Sequence, residues 1–201
     1  MRVIAEQATA GRLPVDIRVV ASDQPNAVGL QTAASMGINT EVLSPRAFAD
    51  RPSYDAALAR LIGSYEPKLI VLAGFMRILT PQFIAPFAGR ILNVHPSLLP
   101  KYRGLHTHRR ALEACDPEHG VSIHFVTEEL DGGPVVVQAC IDVRAGDTEQ
   151  SLSARVQRQE HTIYPQVIEW FANGRLSLSG ERVVLDGKVL ERPVTIDARG
   201  N

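Results

Sequence analysis

An amide and an imidazole stand two residues apart in the segment Ile91-Leu92-Asn93-Val94-His95-Pro96-Ser97-Leu98-Leu99-Pro100. In extended chain, side chains two apart point to the same side. Asn93 and His95 can therefore address one ligand atom together, with Pro96 ending the strand directly after them. The plainer alternative is an Asn in a local turn and a His satisfied by a backbone carbonyl. Farther along, Thr127-Glu128-Glu129-Leu130-Asp131-Gly132-Gly133-Pro134 places two glycines and a proline after an aspartate, which specifies a defined turn. A carboxylate on such a turn can reach an imidazole and favour its protonated form. Otherwise Asp131 closes an Asx-turn and Glu128 and Glu129 are simply solvated.

An amide donor, a protonatable histidine and a carboxylate suit acyl transfer without a protein nucleophile. Asn93 and protonated His95 would donate to a developing oxyanion, and His95 would carry a proton from an attacking amine to a leaving nitrogen. No Gly-x-Ser-x-Gly elbow occurs, and neither Cys115 nor Cys140 sits in a recognisable catalytic setting. His106, His108, His119, His124 and His161 show no H-E-x-x-H or C-x-x-C spacing, so no metal is expected. Arg109-Arg110 reads as a solvated helix face.

The elements that must position these residues alternate between strand and helix. Strands are expected at Val15–Ala21, Ile38–Leu43, Lys68–Gly74, Arg90–Val94, Val121–Val126 and Pro134–Val143, on β-branched or apolar content between turn signals. The near-continuous apolar run KLIVLAG predicts a strand covered on both faces. Helices are expected at Met1–Ala10, Ala27–Met36, from Pro52 to Tyr65, at Pro81–Ala88 and at His108–Glu113. The longest, Thr148–Phe171, carries Leu152, Val156, Tyr164, Val167, Ile168 and Phe171 on one side and closes at Asn173-Gly174. A C-terminal β-hairpin turns at Asp186-Gly187. This alternation predicts an α/β fold: one open, mostly parallel, Rossmann-like sheet with helices on both faces. Ligands on such sheets sit beyond the carboxyl ends of the strands, where Asn93 and His95 lie.

The 201 residues carry Lys+Arg 21 against Asp+Glu 22, a formal net charge of -1, and are 45% hydrophobic. A chain of this size buries roughly 70% of its unfolded surface, so one domain over 1–201 needs no staple. Balanced charge argues against a nucleic-acid partner. The longest apolar stretch, Leu69–Met76, falls far short of the ~20 residues of a membrane span. MRVIAEQATAGR lacks the features of a secretory signal. Two free thiols in a cytoplasmic protein are the expected state of the cysteines.

Asn93–Pro100 with Lys101-Tyr102-Arg103-Gly104-Leu105-His106-Thr107-His108, HFVTEELDGGPV from His124 to Val135 and VLAGFMRIL from Val71 to Leu79 form a specific combination. On these residues the chain, from about Gly11 to about Phe171, resembles the phosphoribosylglycinamide formyltransferase family, folate-dependent enzymes of purine biosynthesis and one-carbon metabolism. The resemblance implies the formyltransferase fold and a catalytic trio of Asn93, His95 and Asp131. It also implies attack by the amine of glycinamide ribonucleotide on the formyl carbon of 10-formyltetrahydrofolate, the formyl-donor cosubstrate. It places the folate site on Arg51, for the glutamate tail, on Met76, Arg77, Ile78 and Leu79 at the pterin cleft, on Asn93, and on the closing loop Glu128, Glu129, Leu130, Asp131 and Gly132. Gln157 and Glu160 fall on positions that contact the ribonucleotide. The plainer alternatives are a surface charge at Arg51, ordinary core at Met76–Leu79 and an exposed helix face at Gln157 and Glu160. A monomer or homodimer acting on small molecules is expected.

The chain departs from the family pattern at its N-terminus, where an apolar strand and a Gly-Ser-Asn loop holding the substrate phosphate on backbone N–H groups are absent. A start upstream of Met1 is the expected reason. Formyltetrahydrofolate deformylase and methionyl-tRNA formyltransferase resemble the chain in the Asn-x-His and Leu-Asp regions. Each normally carries a further domain for which this length has no room. A non-catalytic folate-binding form is the remaining alternative.

Overall fold

The computed structural model describes residues 1–198. Its central sheet has five strands, in the order β10 (Val194–Asp197), β6 (Val135–Asp142), β5 (Glu118–Phe125), β4 (Ile91–His95), β3 (Ile70–Leu72). Pairs β3–β4 and β6–β10 are parallel, and β5 is antiparallel to both its neighbours. Four of the five strands thus run one way. β5 follows β4 through α5 (Thr107–Glu113) and returns to β6 through a short turn, so it runs against them.

Ile91 and Leu92 are adjacent on β4, both 0% exposed, and they face different cores, as strand alternation requires. Leu92 joins Val121, Ile123, Phe125, Val137 and Ala139 beneath α6 (Glu149–Ala172), which buries Leu152, Val156, Ile163, Tyr164, Val167 and Ile168. Ile91 joins Tyr54, Leu58 and Ile62 of α3 (Arg51–Gly63) with Phe83 and Ile84 of α4 (Pro81–Ile84). Helices therefore cover both faces. Apolar burial at roughly 25 cal/mol per Å² supplies the main drive for this layering. α6 begins where Thr148 and Ser151 satisfy each other's backbone N–H groups in a capping box, and α3 where Asp50 accepts from Ser53 N–H at 2.8 Å.

A second, two-stranded parallel sheet pairs β1 (Val20–Ser22) with β2 (Thr40–Val42); α2 (Val28–Ser35) packs on it, and α1 (Arg2–Thr9) packs on α2 and α6. Among the described residues no strand joins β1 to β3, so the two sheets are separate. β3 is the edge of the five-stranded sheet and its three residues are only half-buried. Val71 nonetheless packs on the core beneath α6 and Ile70 and Leu72 on the core beneath α3, so the strand expected at Lys68–Gly74 is covered on both faces, though it stands at the edge of the sheet rather than inside it. β7 (Leu176–Ser179), β8 (Arg182–Leu185) and β9 (Lys188–Val189) form an antiparallel sheet. It extends the expected hairpin, and Asp186 and Gly187 take φ 52 and 74 at its second turn, as a type I′ turn requires. The chain then returns through β10 to the central sheet. Cys115 is exposed and Cys140 buried, and no disulfide joins them.

Candidate active site

Asn93 and His95 lie at the carboxyl end of β4, and the register sets Asn93 opposite His124 and His95 opposite Ser122 on β5. The 126–134 turn between β5 and β6 brings Asp131 over them. His95 is 5% exposed, and its Nδ1 stands 3.4 Å from Asp131 Oδ2. Its Nε2 is 2.9 Å from the Tyr102 carbonyl oxygen, an acceptor only, so Nε2 carries a proton and donates it there. Nδ1 is left to exchange a proton in the cleft, and a proton placed on it meets the Asp131 carboxylate.

His124, 2% exposed, was not among the residues the sequence marks out for the site. Burial lowers its pKa, so the ring is neutral near pH 7. Its Nδ1–H donates to the Phe125 carbonyl at 2.9 Å, which leaves Nε2 able only to accept. Asn93 Nδ2, at 3.2 Å, is then the donor, and the amide orientation is fixed with one Nδ2 hydrogen still free. His124 Nε2 also lies 3.7 Å from Asp131 Oδ1. The motif that opens at His124 assigns it no role, because its relation to Asn93 comes from strand register alone. The Gly104 backbone is a second group without a sequence signature: its N–H donates to Asp131 Oδ2 at 2.8 Å.

The loop after β4 is held by a buried node. Ser122 Oγ donates to the Ser97 carbonyl at 2.7 Å and accepts from Leu99 N–H and Gln138 Nε2 at 3.0 and 2.9 Å. Gly120 lies beside it, where an added Cβ would run into the Ala139 carbonyl and the Leu98 side chain. Behind His95, His119 is 1% exposed, and burial together with neighbouring His108 lowers its pKa to about 4. His108 Nδ1 stands 3.1 Å from His119 Nε2.

Asn93, His95 and Asp131 therefore converge as expected. Glu128, Glu129, Leu130 and Gly132 share the Asp131 turn, with Glu128, Glu129 and Leu130 exposed. Met76, Arg77, Ile78 and Leu79 form the link between β3 and α4: Met76 is 79% exposed, Leu79 buried. Asp55, 1% exposed, anchors this link by accepting Thr80 N–H at 2.6 Å. The Arg77 guanidinium lies over the Tyr54 ring and 3.9 Å from Asp23, away from the trio. Arg51 opens α3 and is exposed. Gln157 is an exposed residue of α6 and Glu160 a half-buried one, its pKa raised by burial. One turn beyond Glu160, Tyr164 Oη lies 2.9 Å from the carbonyls of Leu72 and Leu92, which seats this part of α6 beside Asn93. Among the described residues no group of three or more His, Cys, Asp or Glu could hold a metal ion, and no helix is long and apolar enough to cross a membrane.

An imidazole beside a carboxylate, with an amide donor two residues away, at the carboxyl end of a strand of an open α/β sheet is an arrangement suited to group transfer. The formyl transferase family matches residues 1–168, and the chain belongs to that family. Within it, the chain is 52% identical over 190 residues to phosphoribosylglycinamide formyltransferase of Escherichia coli (strain K12), covering 94% of this chain and 90% of that protein. The same enzyme from Haemophilus influenzae is 44% identical over 96% of this chain and 91% of its own length. The solved phosphoribosylglycinamide formyltransferase of Coxiella burnetii superposes with a TM-score of 0.91 at 44% identity, covering 96% of this chain and 92% of that one.

Proposed function

We propose that this chain transfers the formyl group of 10-formyltetrahydrofolate to the amine of 5-phosphoribosylglycinamide, a step of purine biosynthesis. The names of its relatives support the reaction, and the convergence of Asn93, His95 and Asp131 on one point supports the residue roles. The amine nitrogen attacks the formyl carbon and forms the new C–N bond. The carbonyl oxygen becomes an oxyanion, met by the free Nδ2 hydrogen of Asn93 and by Nδ1–H of His95, contacts worth several kcal/mol in a water-poor site. Asp131 balances the imidazolium charge. His95 Nδ1 gives its proton to N10 as the C–N10 bond breaks, and the proton shed by the attacking amine then replaces it on Nδ1. Tetrahydrofolate leaves and no net proton is gained.

In this reading Arg51, Met76, Arg77, Ile78 and Leu79 hold the folate, the Glu128–Gly132 turn closes over it through its backbone, and Gln157 and Glu160 hold the ribonucleotide. The chain works as a single formyltransferase domain in the cytoplasm, as a monomer or homodimer, on small molecules rather than nucleic acid or membrane. The relatives named above carry the transferase name, which leaves the deformylase and non-catalytic alternatives without support. The test is tetrahydrofolate release from 10-formyltetrahydrofolate with and without the ribonucleotide. Ribonucleotide-dependent release, lost in Asn93→Ala, His95→Ala and Asp131→Asn while folate still binds, is expected. Release without ribonucleotide, or near-normal turnover in all three variants, overturns the reading.

A further inference from the structure

The backbone of residues 102–104 touches both members of the acid–base pair. The Tyr102 carbonyl takes the Nε2–H of His95 at 2.9 Å, and the Gly104 N–H donates to Asp131 at 2.8 Å. In this strap Tyr102 holds left-handed backbone, φ 56, a strained conformation that its surroundings must enforce, while Gly104 takes φ 79 freely because it has no side chain. From the surface of α5, exposed Arg110 donates to the Arg103 carbonyl at 2.7 Å and lies over the Tyr102 ring. Across the mouth of the site, the Arg103 guanidinium pairs with the Glu129 carboxylate on the Asp131 turn. The Glu129 side chain folds over Gly132, where a Cβ would collide with it, so the pair also fixes the turn that carries Asp131.

We propose that Arg103 and Glu129 are positioning residues: their ion pair clasps the strap to the Asp131 turn and thereby sets the alignment of Asp131 with His95. The proposal rests on reading His95 and Asp131 as the acid–base pair. Arg103 itself touches neither; it acts through the Gly104 amide.

The pair is solvent-exposed, 38% and 65% by side chain. Exposed ion pairs carry modest energies, so opening the clasp lowers kcat by about two- to five-fold. Three variants of the full chain test this: Arg103→Ala, Glu129→Gln and the exchange Arg103→Glu with Glu129→Arg. Each single variant is expected to lower kcat with little change in KM for 10-formyltetrahydrofolate and to speed amide exchange at Gly104. The exchange is expected to restore both. Molar salt should lower kcat of the wild type and leave the single variants unmoved. A rise in KM alone for Glu129→Gln with Arg103→Ala silent would make Glu129 a direct folate ligand and overturn the proposal. Unaltered kcat and Gly104 exchange in both single variants would also overturn it, as would failure of the exchange to restore them. Retained turnover in Asp131→Asn tests the acid–base reading separately and needs none of these variants.

Discussion

His119 makes folding stability pH-dependent in a way that can be worked through. Its ring is 1% exposed, and burial, followed by the nearby His108, brings its pKa from the usual 6.5 to about 4 in the folded chain. Above pH 6.5 the ring is neutral in both states and contributes no pH dependence. As pH falls below 6.5 the unfolded chain takes up a proton that the folded chain refuses until about 4, so stability falls through that window and levels off beneath it. The full shift is worth about 3 kcal/mol, of which about 2 kcal/mol is lost by about pH 5. Against typical stabilities of about 5–15 kcal/mol this is a large fraction. His108 adds to it in the same direction, its pKa lowered chiefly by burial, while Asp116 opposes it by favouring the charged His119. The assay is denaturant unfolding at about pH 7.5 and about pH 5, followed by the fluorescence of the sole tryptophan, buried Trp170. His119→Gln cannot titrate at this position, and groups elsewhere cancel in the comparison. Wild-type protein is expected to lose about 2 kcal/mol more than the variant between the two pH values. Equal losses, within about 0.5 kcal/mol, would refute the reasoning.

Other positions give sharp expectations. His124→Ala removes the acceptor that orients the Asn93 amide, and kcat should fall about ten-fold, as for about 1.4 kcal/mol of lost transition-state stabilisation; folate affinity, measured by fluorescence titration, should hold. Gly120→Ala drives a Cβ into the Ala139 carbonyl on the paired strand, and a loss of about 1–3 kcal/mol in denaturant unfolding is expected. Tyr164→Phe strips the hydroxyl that faces the Leu72 and Leu92 carbonyls at 2.9 Å, at a cost of about 0.5–1.5 kcal/mol by the same measurement. Asp55→Ala leaves Thr80 N–H without its acceptor and should loosen the Met76–Leu79 link, read as a higher KM for the folate with kcat little changed.

Much of the local structure could be read from residue patterns, although β1 and β2 cover only Val20–Ser22 and Thr40–Val42 of the longer runs Val15–Ala21 and Ile38–Leu43. The periodic apolar face of α6 and its Thr148 start, the Asp186-Gly187 turn and the strand carrying Asn93 and His95 were all legible, because 3.6- and 2-residue periods and turn chemistry act over a few residues. Residue chemistry also marked out Asn93, His95 and Asp131, since an amide and an imidazole at i and i+2 share a side of any strand. Tertiary structure decided what depends on partners distant in the chain. That β5 runs antiparallel between β4 and β6 follows from packing and connection, and it alone sets His124 against Asn93. The half-burial of β3 arises because it ends the sheet, a fact absent from its own apolar letters. Tyr102 and Gly104 enter the site through backbone groups, which every residue possesses and no side-chain pattern can single out. Which carbonyl meets which imidazole is fixed only when register and loop conformation bring their atoms within 3 Å, the range in which hydrogen bonds act.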